Sequence, residues 1–593
     1  MAQYIIGIDL GTTNSVLAYV AADAEAPELK LLPVPQVVAA GTVESRTSLP
    51  SFLYLPTEAE RTSGAFALPW TKSGADVTAV VGEFARKQAA DVPDRTVGAT
   101  KSWLAHHAVD RKGPILPWGA GEDVPKISPL AASQAFLQHL VAAWEHAFPD
   151  APIARQQVAL TVPASFDASA RELTREAAIA AGAPHDLILL EEPQAAVYAW
   201  LDDRGEKWRK ELGVGAMLLV CDVGGGTTDF TLVTVREEDG ELTLERKAVG
   251  NHLLVGGDNM DLALAYQVSQ RFAEKGVTLD PWQSVSLWHS CRAAKERLLE
   301  ADGPETEPIT VLGRGSKLIG GTISVDMERE HVAELLVDGF FPTCAIDTKP
   351  ARTRASGFAE IGLPFESETA VTRHLAGFLS AHGDGGPIMP SHVLFNGGVF
   401  RAERLRRRLL DVLAAWFPEN TPAPVEGPQD LDHAVARGAA YYGWAKTHGG
   451  VRIRGGTGRA YYVGVETAGL AIPGAPRPLR ALCVASIGME EGTEADVPGQ
   501  ELAIVVGEPA QFRFFSSATR KEDHPGLMLP NVNGLEESDA LEATLGGKET
   551  QGEDVHPVRF KSRVTELGMF ELWCLSARGA GEWKLEFNVR EEA

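Results

Sequence analysis

Two short segments, about two hundred residues apart, carry residue types that could hold a phosphate and a divalent cation. They read IIGIDLGTTNSVLAYV (residues 5–20) and LLVCDVGGGTTDFTLVTV (residues 218–235). In each, an apolar strand-like run leads to Asp, an apolar residue, Gly and a Thr-Thr pair, and a second strand-like run follows. This pattern predicts a hairpin with a Gly/Thr-rich tip. Such a turn lets backbone N–H groups approach a phosphate without obstruction by Cβ, and Thr hydroxyls add donors.

The Asp at each strand exit is suited to a hydrated Mg²⁺, which keeps several waters and needs only one or two carboxylates. The first phosphate clamp is therefore predicted to contain Asp9, Gly11, Thr12, Thr13 and Asn14. The second is predicted to contain Asp222, Gly224, Gly225, Gly226, Thr227, Thr228 and Asp229. A Walker P-loop is excluded, because no G-x-x-x-x-G-K-[S/T] occurs and each turn leads into a strand. Two related hairpins predict two similar lobes that face each other.

Two further glycine pairs precede predicted helices. VGGDNMD (residues 255–261) opens one helix, and HVLFNGGVFR (residues 392–401) reads as strand, Gly-Gly and helix. Both fit a close approach of backbone to a flat adenosine beside a helix N-terminus. Each pair taken alone is typical of an ordinary strand-to-helix turn.

The elements that must position these residues alternate between strand-like and helical patterns over residues 1–447, which predicts an α/β domain. Expected strands cover residues 4–8, 158–162, 217–221 and 392–395. Helices are expected over residues 168–181 and 258–275. The first of these helices has the capping-box spacing from Ser169 to Glu172 and a stop at Gly182.

The composition changes at a glycine-rich stretch, THGGVRIRGGTGR (residues 447–459). Residues 448–459 are predicted to be a linker. Short strand-like segments then recur between turn signals, so residues 460–593 are predicted to form an all-β sandwich.

The composition excludes several classes of protein. With 44% hydrophobic and 23% charged residues, the chain of 593 residues is typical of a globular protein. The net charge of −25 argues against nucleic acid as a partner. The arginines between Arg401 and Arg408 are interpreted as a solvated helix face. No apolar run could cross a membrane, and the N-terminus lacks the basic region of a signal peptide. The scattered cysteines are expected to be reduced thiols of a cytoplasmic protein.

Seven motifs now match one family in order and spacing. They are IGIDLGTTNS, ALTVPASFDASARELTREAAIAAG, LLEEPQAAVYAW, DVGGGTTDFTL, VGGDNMD, LFNGGVFR and LDHAVARGAAYYG. Over residues 1–447 the chain resembles the heat shock protein 70 (DnaK-type) chaperones of the actin-like ATPase superfamily. The resemblance implies a two-lobed actin-like (ribonuclease H-like) ATPase domain followed by a β-sandwich without a helical lid. It also implies ATP or ADP and Mg²⁺ as ligands.

The same resemblance implies roles for individual residues. The catalytic group would be Lys101, Glu192, Asp222 and Thr227. Asp9, Asp222 and Asp229 would hold Mg²⁺ through water. The adenosine side of the site would include Gly256, Gly257, Asp258, Lys295, Gly397, Gly398, Arg401 and Asp432. Pro163 and Arg171 match the pair that relays nucleotide state to the second domain.

The chain departs from the family pattern at four places. Arg292 stands where the family has an acidic residue, and Leu299 and Val399 stand where it has serines. These changes predict weaker or rebuilt adenosine contacts. The sequence VRIRGG replaces the apolar, acid-flanked linker of the family, which leaves coupling between the domains and docking of co-chaperones open.

The resemblance predicts a slow ATPase that controls binding of unfolded or extended polypeptide by the β domain, with co-chaperones as further partners. The altered linker and adenosine residues favour an alternative, a nucleotide-binding scaffold with little turnover. A third hypothesis is a small-molecule kinase of the same superfamily, which would require an acceptor other than water.

Overall fold

The fold was obtained as a computed structural model. It describes residues 2–238, 241–311, 323–351, 363, 365–383, 385–428, 430–451, 453–454, 456–466, 478–490, 492–505, 510–543, 555–565, 570–579 and 581–587. The fold statements that follow concern these residues.

The first lobe is built around a mixed sheet. Its elements are β1 (Tyr4–Leu10), β2 (Asn14–Ala21), β3 (Lys30–Leu31), β4 (Val34–Ala39), β5 (Thr42–Arg46), β6 (Leu49–Pro50), β7 (Leu53–Tyr54), α1 (Glu58–Arg61), β8 (Val80–Val81), α2 (Glu83–Asp91), β9 (Thr96–Val97), α3 (Thr100–Ala105), α4 (Pro129–Ala147), β10 (Gln157–Val162), α5 (Ala168–Ala180), β11 (Ile188–Glu191), α6 (Glu192–Arg204) and α7 (Trp208–Glu211). The strand order is β11-β10-β1-β2-β3. β1 runs antiparallel to β2 and parallel to β10, and β10 runs parallel to β11.

The second lobe repeats this arrangement. Its elements are β12 (Met217–Val223), β13 (Thr228–Glu238), β14 (Glu241–Val249), α8 (Gly257–Glu274), α9 (Pro281–Leu299), β15 (Thr306–Val311), β16 (Ile323–Glu328), α10 (Arg329–Phe340), α11 (Val371–His382), β17 (His392–Asn396), α12 (Glu403–Trp416), β18 (Ala423–Pro424) and α13 (Ala434–His448). The order β18-β17-β12-β13-β14 has the same sequence of parallel and antiparallel pairs as the first sheet. The two hairpins are therefore equivalent parts of two similar lobes, as the sequence predicts.

Helices α6 and α13 join the lobes. Their side chains form one apolar cluster with residues of both sheets, including Ala159 of β10 and Val220 of β12. The two helices cross so closely that a Cβ added at Gly438 would lie 1.7 Å from the carbonyl oxygen of Ala195. This crossing fixes the start of α6, at Glu192, relative to the start of α13, which follows Asp432.

The rest of the chain is β structure, in agreement with the predicted fold class. Its strands are β19 (Ile453–Arg454), β20 (Ala460–Glu466), β21 (Leu479–Ala485), β22 (Thr493–Val505), β23 (Ala510–Ser517), β24 (Met528–Leu529), β25 (Glu536–Ala543), β26 (Val555–Val564), β27 (Phe570–Ser576) and β28 (Glu582–Phe587). The strands from β20 onward pair in the order β22-β26-β27-β28-β25-β23-β20-β21-β24. We call this part the β unit.

One local prediction needs correction. The cap of α5 is Asp167, whose carboxylate accepts a hydrogen bond from the backbone N–H of Ala170, so the predicted capping box at Ser169 is wrong. Ser169 is instead buried and accepts a hydrogen bond from Arg111 at 2.9 Å. Residues 448–459 stay a predicted linker; within them, β19 pairs with β14 and extends the second sheet.

His139 of α4 gives the first lobe a pH-dependent stability. The side chain is buried, and its Nε2–H donates to the carbonyl of Pro35 at 2.8 Å. Burial lowers the pKa of His139 from 6.5 to about 4. Between pH 6.5 and about pH 4, His139 therefore binds a proton in the unfolded chain but not in the folded chain. We expect the free energy of unfolding to fall by about 2 kcal/mol between pH 8 and pH 5 through this residue.

The measurement is urea unfolding at both pH values for the wild type and for His139→Gln. The glutamine has no titrating group here but can still donate to Pro35. An equal pH dependence in both proteins would show that His139 does not carry the effect.

Candidate functional site

A cavity of about 450 Å³ lies between the two sheets. Both predicted phosphate hairpins reach it, the first through the turn between β1 and β2 and the second through the turn between β12 and β13. Asp9 and Asp222, at the exits of β1 and β12, both line this cavity. The tips also touch each other, since a Cβ added at Gly225 would lie 2.0 Å from Oγ1 of Thr13. The fold thus brings the two clamps together on one space.

Lys101 and Glu192 join the carboxylates in the cavity. Lys101 lies on α3 and Glu192 is the first residue of α6, and their side chains form a largely buried ion pair. The residue before α3, Ala99, has a φ of +52°. This left-handed conformation is rare for a residue with a side chain and marks a constrained turn just before Lys101.

Burial and mutual repulsion raise the pKa values of these carboxylates. Burial raises the pKa of Asp222 to about 7, and the charges of Asp229 and Asp9 add to this effect. Burial likewise raises the pKa of Asp9, and it raises the pKa of Glu192 to about 8 despite Lys101. Burial alone would lower the pKa of Lys101, but Glu192 and Asp9 outweigh it, so the pKa is raised and the ammonium stays charged.

This donor set fits a hydrated divalent cation. Asp9, Asp222 and Glu192 carry more potential negative charge than Lys101 can neutralise in a buried site, which a cation would correct. The cavity supplies carboxylate oxygens from two opposed strands, and Mg²⁺ needs no more protein ligands than that. Among the described residues, no group of three or more His, Cys, Asp or Glu side chains is arranged to hold a metal ion by itself.

The carboxylate of Asp222 is held by a neighbour that the motifs do not single out. Asn396 lies opposite Asp222 in the parallel pair of β12 and β17, and its side-chain amide donates to Oδ2 of Asp222 at 2.8 Å. Asn396 is only 4% exposed. The other carboxylate oxygen of Asp222 is thereby left for the cavity.

The predicted adenosine side carries a network of buried charges on α8 and α9. Lys295 contacts Asp261 at 2.6 Å and donates to the carbonyl of Gly257 at 3.1 Å. Arg292 pairs with Asp261 at 2.8 Å and with Asp258. Farther along, Arg401 and Asp432 form an ion pair.

Most of the predicted site residues line the cavity. Those that line it are Asp9, Gly11, Thr12, Thr13, Asn14, Lys101, Glu192, Asp222, Gly224, Gly225, Thr227, Gly257, Asp258, Lys295, Gly397, Gly398, Arg401 and Asp432. Four predicted residues do not line it: Gly226, Thr228, Asp229 and Gly256. Their roles in binding remain predictions.

The four residues lie outside the cavity lining and contact residues next to it. The hydroxyl of Thr228 is fully buried and donates to the carbonyl of Val255 at 2.8 Å, so it is not directed at the cavity. The carboxylate of Asp229 accepts a hydrogen bond from Ser165. A Cβ added at Gly256 would lie 2.7 Å from the carbonyl oxygen of Gly224, so this glycine allows the second hairpin to approach α8. Gly226 packs against Thr12 of the first hairpin.

Sequence reasoning missed Asn396, Asp261 and a group of first-lobe residues that line the cavity. Asn396 had a usable signal, because it occupies the strand exit next to Asp222 in a parallel sheet. Asp261 closes the motif VGGDNMD but was not assigned a role. No local signal marked Arg46 or Glu83, which form an ion pair at 3.3 Å at the mouth of the cavity.

Comparison with known proteins agrees with this geometry. Residues 5–345 match the family model described as Hsp70 protein. The chain is 26% identical over 377 residues to the chaperone protein DnaK of Stenotrophomonas maltophilia, covering 60% of this chain and 52% of that protein. It is 32% identical over 307 residues to a chaperone protein HscA homolog of Pseudomonas aeruginosa, covering 50% and 42%. The chain spans about half the length of these curated relatives. Since the family model covers more than half of the chain, the protein belongs to the Hsp70 family.

Proposed function

We propose that this Hsp70-family chain binds ATP with Mg²⁺ between its lobes. In this proposal it hydrolyses ATP slowly to control how its β unit holds an extended polypeptide. One observation carries the proposal: two Asp-Gly-Thr hairpins, a buried lysine and its glutamate partner line a single cavity. Hydrolysis of a γ-phosphate depends mainly on positioning and charge neutralisation, which these groups can supply.

Each group has a defined task in the proposal. Asp9 and Asp222 would hold Mg²⁺ through its waters, with Asp229 behind them, and the ion would neutralise phosphate charge. Backbone N–H groups and the hydroxyls of Thr12, Thr13 and Thr227 hold phosphate oxygens. Lys101 orients the γ-phosphate and the attacking water. Glu192, at the start of α6, is the acid nearest that water.

Asn396 tests the metal part of the proposal. In Asn396→Ala the carboxylate of Asp222 loses the side-chain amide that donates to its Oδ2 and is free to rotate. We expect nucleotide binding to require a Mg²⁺ concentration at least about tenfold higher. Residues that position a metal ligand typically change metal affinity by about 10- to 100-fold. Titration calorimetry with ADP at several Mg²⁺ concentrations measures this shift.

Ser391→Ala is the matched control, because Ser391 precedes the same strand and contacts the backbone of Met217 instead of the cavity. A metal dependence that is unchanged in Asn396→Ala would rule out a positioning role for this residue.

The linker supports communication between the lobes and the β unit. Its strand β19 pairs with β14, and the backbone N–H of Ile453 donates to the hydroxyl of Tyr198 on α6 at 2.8 Å. Ala168 at the start of α5 packs within the core cluster of the β unit. Lys521 of the β unit donates to the carbonyl of His382 on α11 at 3.1 Å. A change in the angle between the lobes would therefore alter contacts of the β unit.

Arg171 lies at this junction, where the resemblance implies a relay with Pro163. Its guanidinium pairs with Glu191 at 2.8 Å, and Arg246 of β14 pairs with the same glutamate. Glu191, Arg171 and Arg246 line a small cavity together with Gly456 and Tyr461, the latter on the first strand of the β unit. The ion pairs of Glu191 thus link both lobes beneath the β unit.

Polypeptide binding by the β unit would use strand addition and side-chain pockets. Segments 467–477 and 544–554, which connect strands of the β unit, lie outside the described residues. Co-chaperones and a cytoplasmic location are part of the proposal. None of the helices within the described ranges has the length and apolar character needed to span a membrane.

Limited proteolysis of residues 448–459 tests coupling. The chain is digested with ATP, with ADP and without nucleotide, while phosphate release is followed with water as the sole acceptor. The proposal predicts nucleotide-dependent protection and acceptor-independent release. Release that requires an added hydroxyl compound would favour the kinase hypothesis, and binding without release would favour the scaffold.

A further inference from the structure

A fully buried arginine lies next to the helix that carries Lys101. Arg111 follows α3 in the chain, on the segment that leads to α4, and its side chain is 0% exposed. Arginine is rarely buried to this extent unless other groups satisfy its charge and its donors. The contacts of the guanidinium therefore show which parts of the first lobe it holds together.

Two of these contacts join α3 to α5. Nη1 of Arg111 donates to the carbonyl of Leu104, in the last turn of α3, at 3.3 Å. Nη2 donates to the hydroxyl of Ser169 on α5 at 2.9 Å. The last carbonyls of a helix have no partner within the helix, and a cation beside them is favourable. Arg111 thus fixes the end of α3 to a neighbouring helix.

The groups on both sides of this contact are firmly placed. Leu104 and Ser169 are each 0% exposed. The backbone carbonyl of Arg111 accepts a hydrogen bond from the N–H of Leu130, in the first turn of α4, at 3.1 Å. Because a protein interior is close-packed, buried groups held in this way have little room to move. Arg111 is therefore a fixed point between three helices.

Helix α3 needs such a fixed point. It has only 6 residues, and an isolated helix shorter than about 12 residues is marginal in water, so tertiary contacts decide its position. Ala99, at its start, has a φ of +52° and no side chain that could cap the helix. Lys101 and Leu104 are one helical turn apart, about 4.5 Å along the axis. A shift of α3 at Leu104 would therefore displace Lys101 as well.

The place of the Lys101 ammonium matters for hydrolysis. In the proposed function it orients the γ-phosphate and the attacking water, and it stands at the end of a long, flexible side chain. A misplacement of about 1 Å, caused by a change far from the chemistry, can cost about 100-fold in rate. Affinity for ATP comes mainly from the phosphate contacts of the two hairpins in that function. A shift of α3 would thus slow hydrolysis and leave ATP binding nearly unchanged.

We propose that Arg111 is a positioning residue for hydrolysis, which holds α3 against α5 so that Lys101 reaches the γ-phosphate. Arg111 is not among the residues that line the cavity, so it acts through Lys101 and not on the nucleotide. The inference rests on the proposed function, because it needs hydrolysis at Lys101.

Arg111→Met tests this role, because methionine is a long, flexible side chain that adapts to the space and has no N–H donors. We expect single-turnover phosphate release to fall by about 10- to 100-fold. The Kd for ATP, measured by calorimetry with MgCl₂ present, should stay that of the wild type. Release at the wild-type rate, or an equal loss of release and of ATP affinity, would overturn the inference and leave the proposed function intact. If the wild type itself releases no phosphate, the proposed function and this inference both fail.

Combining Arg111→Met with Lys101→Ala separates positioning from a general loss of structure. If Arg111 acts through Lys101, the double variant should release phosphate at the rate of Lys101→Ala alone, because both changes remove the same contribution. Losses that multiply in the double variant would show that Arg111 does not act through Lys101.

Ser169→Ala is the second variant, and it decides the matter if Arg111→Met melts at a lower temperature than the wild type. It removes one acceptor of the guanidinium and little volume, and we expect release to fall by about tenfold with an unchanged Kd for ATP. Arg204→Met is the matched control, because Arg204 is a largely buried arginine at the end of α6 that pairs with Glu211 at 2.9 Å and does not line the cavity. Its release should equal that of the wild type. A wild-type rate in Ser169→Ala would overturn the assignment.

Discussion

Lys101→Ala is expected to reduce phosphate release from ATP by about 100-fold or more, the usual cost of removing a preorganised donor from a transition state. The residue is 9% exposed, and its ammonium is held toward Glu192. ATP binding should change far less, since the hairpins supply most phosphate contacts in the proposal. Single-turnover release measures the first quantity, and calorimetric titration with ATP measures the second.

Lys112→Ala is the control for loss of a lysine. Lys112 lies on the surface, pairs with Glu176 at 2.8 Å and does not line the cavity. We expect its phosphate release to equal that of the wild type. If the wild type releases phosphate no faster than Lys101→Ala, the chain is the nucleotide-binding scaffold and not an ATPase.

Gly438→Ala is expected to have the largest effect on stability. The added Cβ would lie 1.7 Å from the carbonyl oxygen of Ala195 and 2.9 Å from the backbone nitrogen of Ala199. Since backbone atoms cannot rotate aside, α13 must move away from α6. We expect a loss of about 3 kcal/mol in the free energy of unfolding, at the upper end for overpacking. Urea unfolding measures this loss.

The displaced helices also carry site residues at their starts, so Gly438→Ala should weaken nucleotide binding. Gly339→Ala is the matched control, because nothing lies within 4 Å of a Cβ added there at the end of α10. The helical preference of alanine should make that control about 0.5–1 kcal/mol more stable. Equal stability in Gly438→Ala and the wild type would mean that the helices cross less closely.

Local sequence patterns identified the elements that depend on local physics. The alternating runs around Asp9 and Asp222 and the Gly-rich turns between them predicted both hairpins, and the repeat predicted two similar lobes. The cap of α5 was misplaced because Asp167 and Ser169 are both good cap residues. Only the hydrogen bond of Asp167 to Ala170 and the burial of Ser169 against Arg111 separate them.

Contacts between distant segments could not be predicted from local sequence patterns. Lys101 looks like any surface lysine, and only the resemblance selected it. Its pairing with Glu192, 91 residues away, depends on how α3 and α6 pack. No local pattern predicts β19, because its two residues stand among glycines and become a strand by pairing with β14.

The sequence by itself determined the two Asp-Gly-Thr hairpins, the α/β and all-β parts and the family, because turn chemistry and periodicity act within a few residues. Tertiary structure alone decided which side chains share the cavity, that Asn396 holds Asp222, and that Thr228 and Asp229 lie behind the lining. It also decided that Leu299 and Val399 line the same cavity as the two hairpins. Those facts depend on which strands and helices become neighbours, and chain order does not specify these distances.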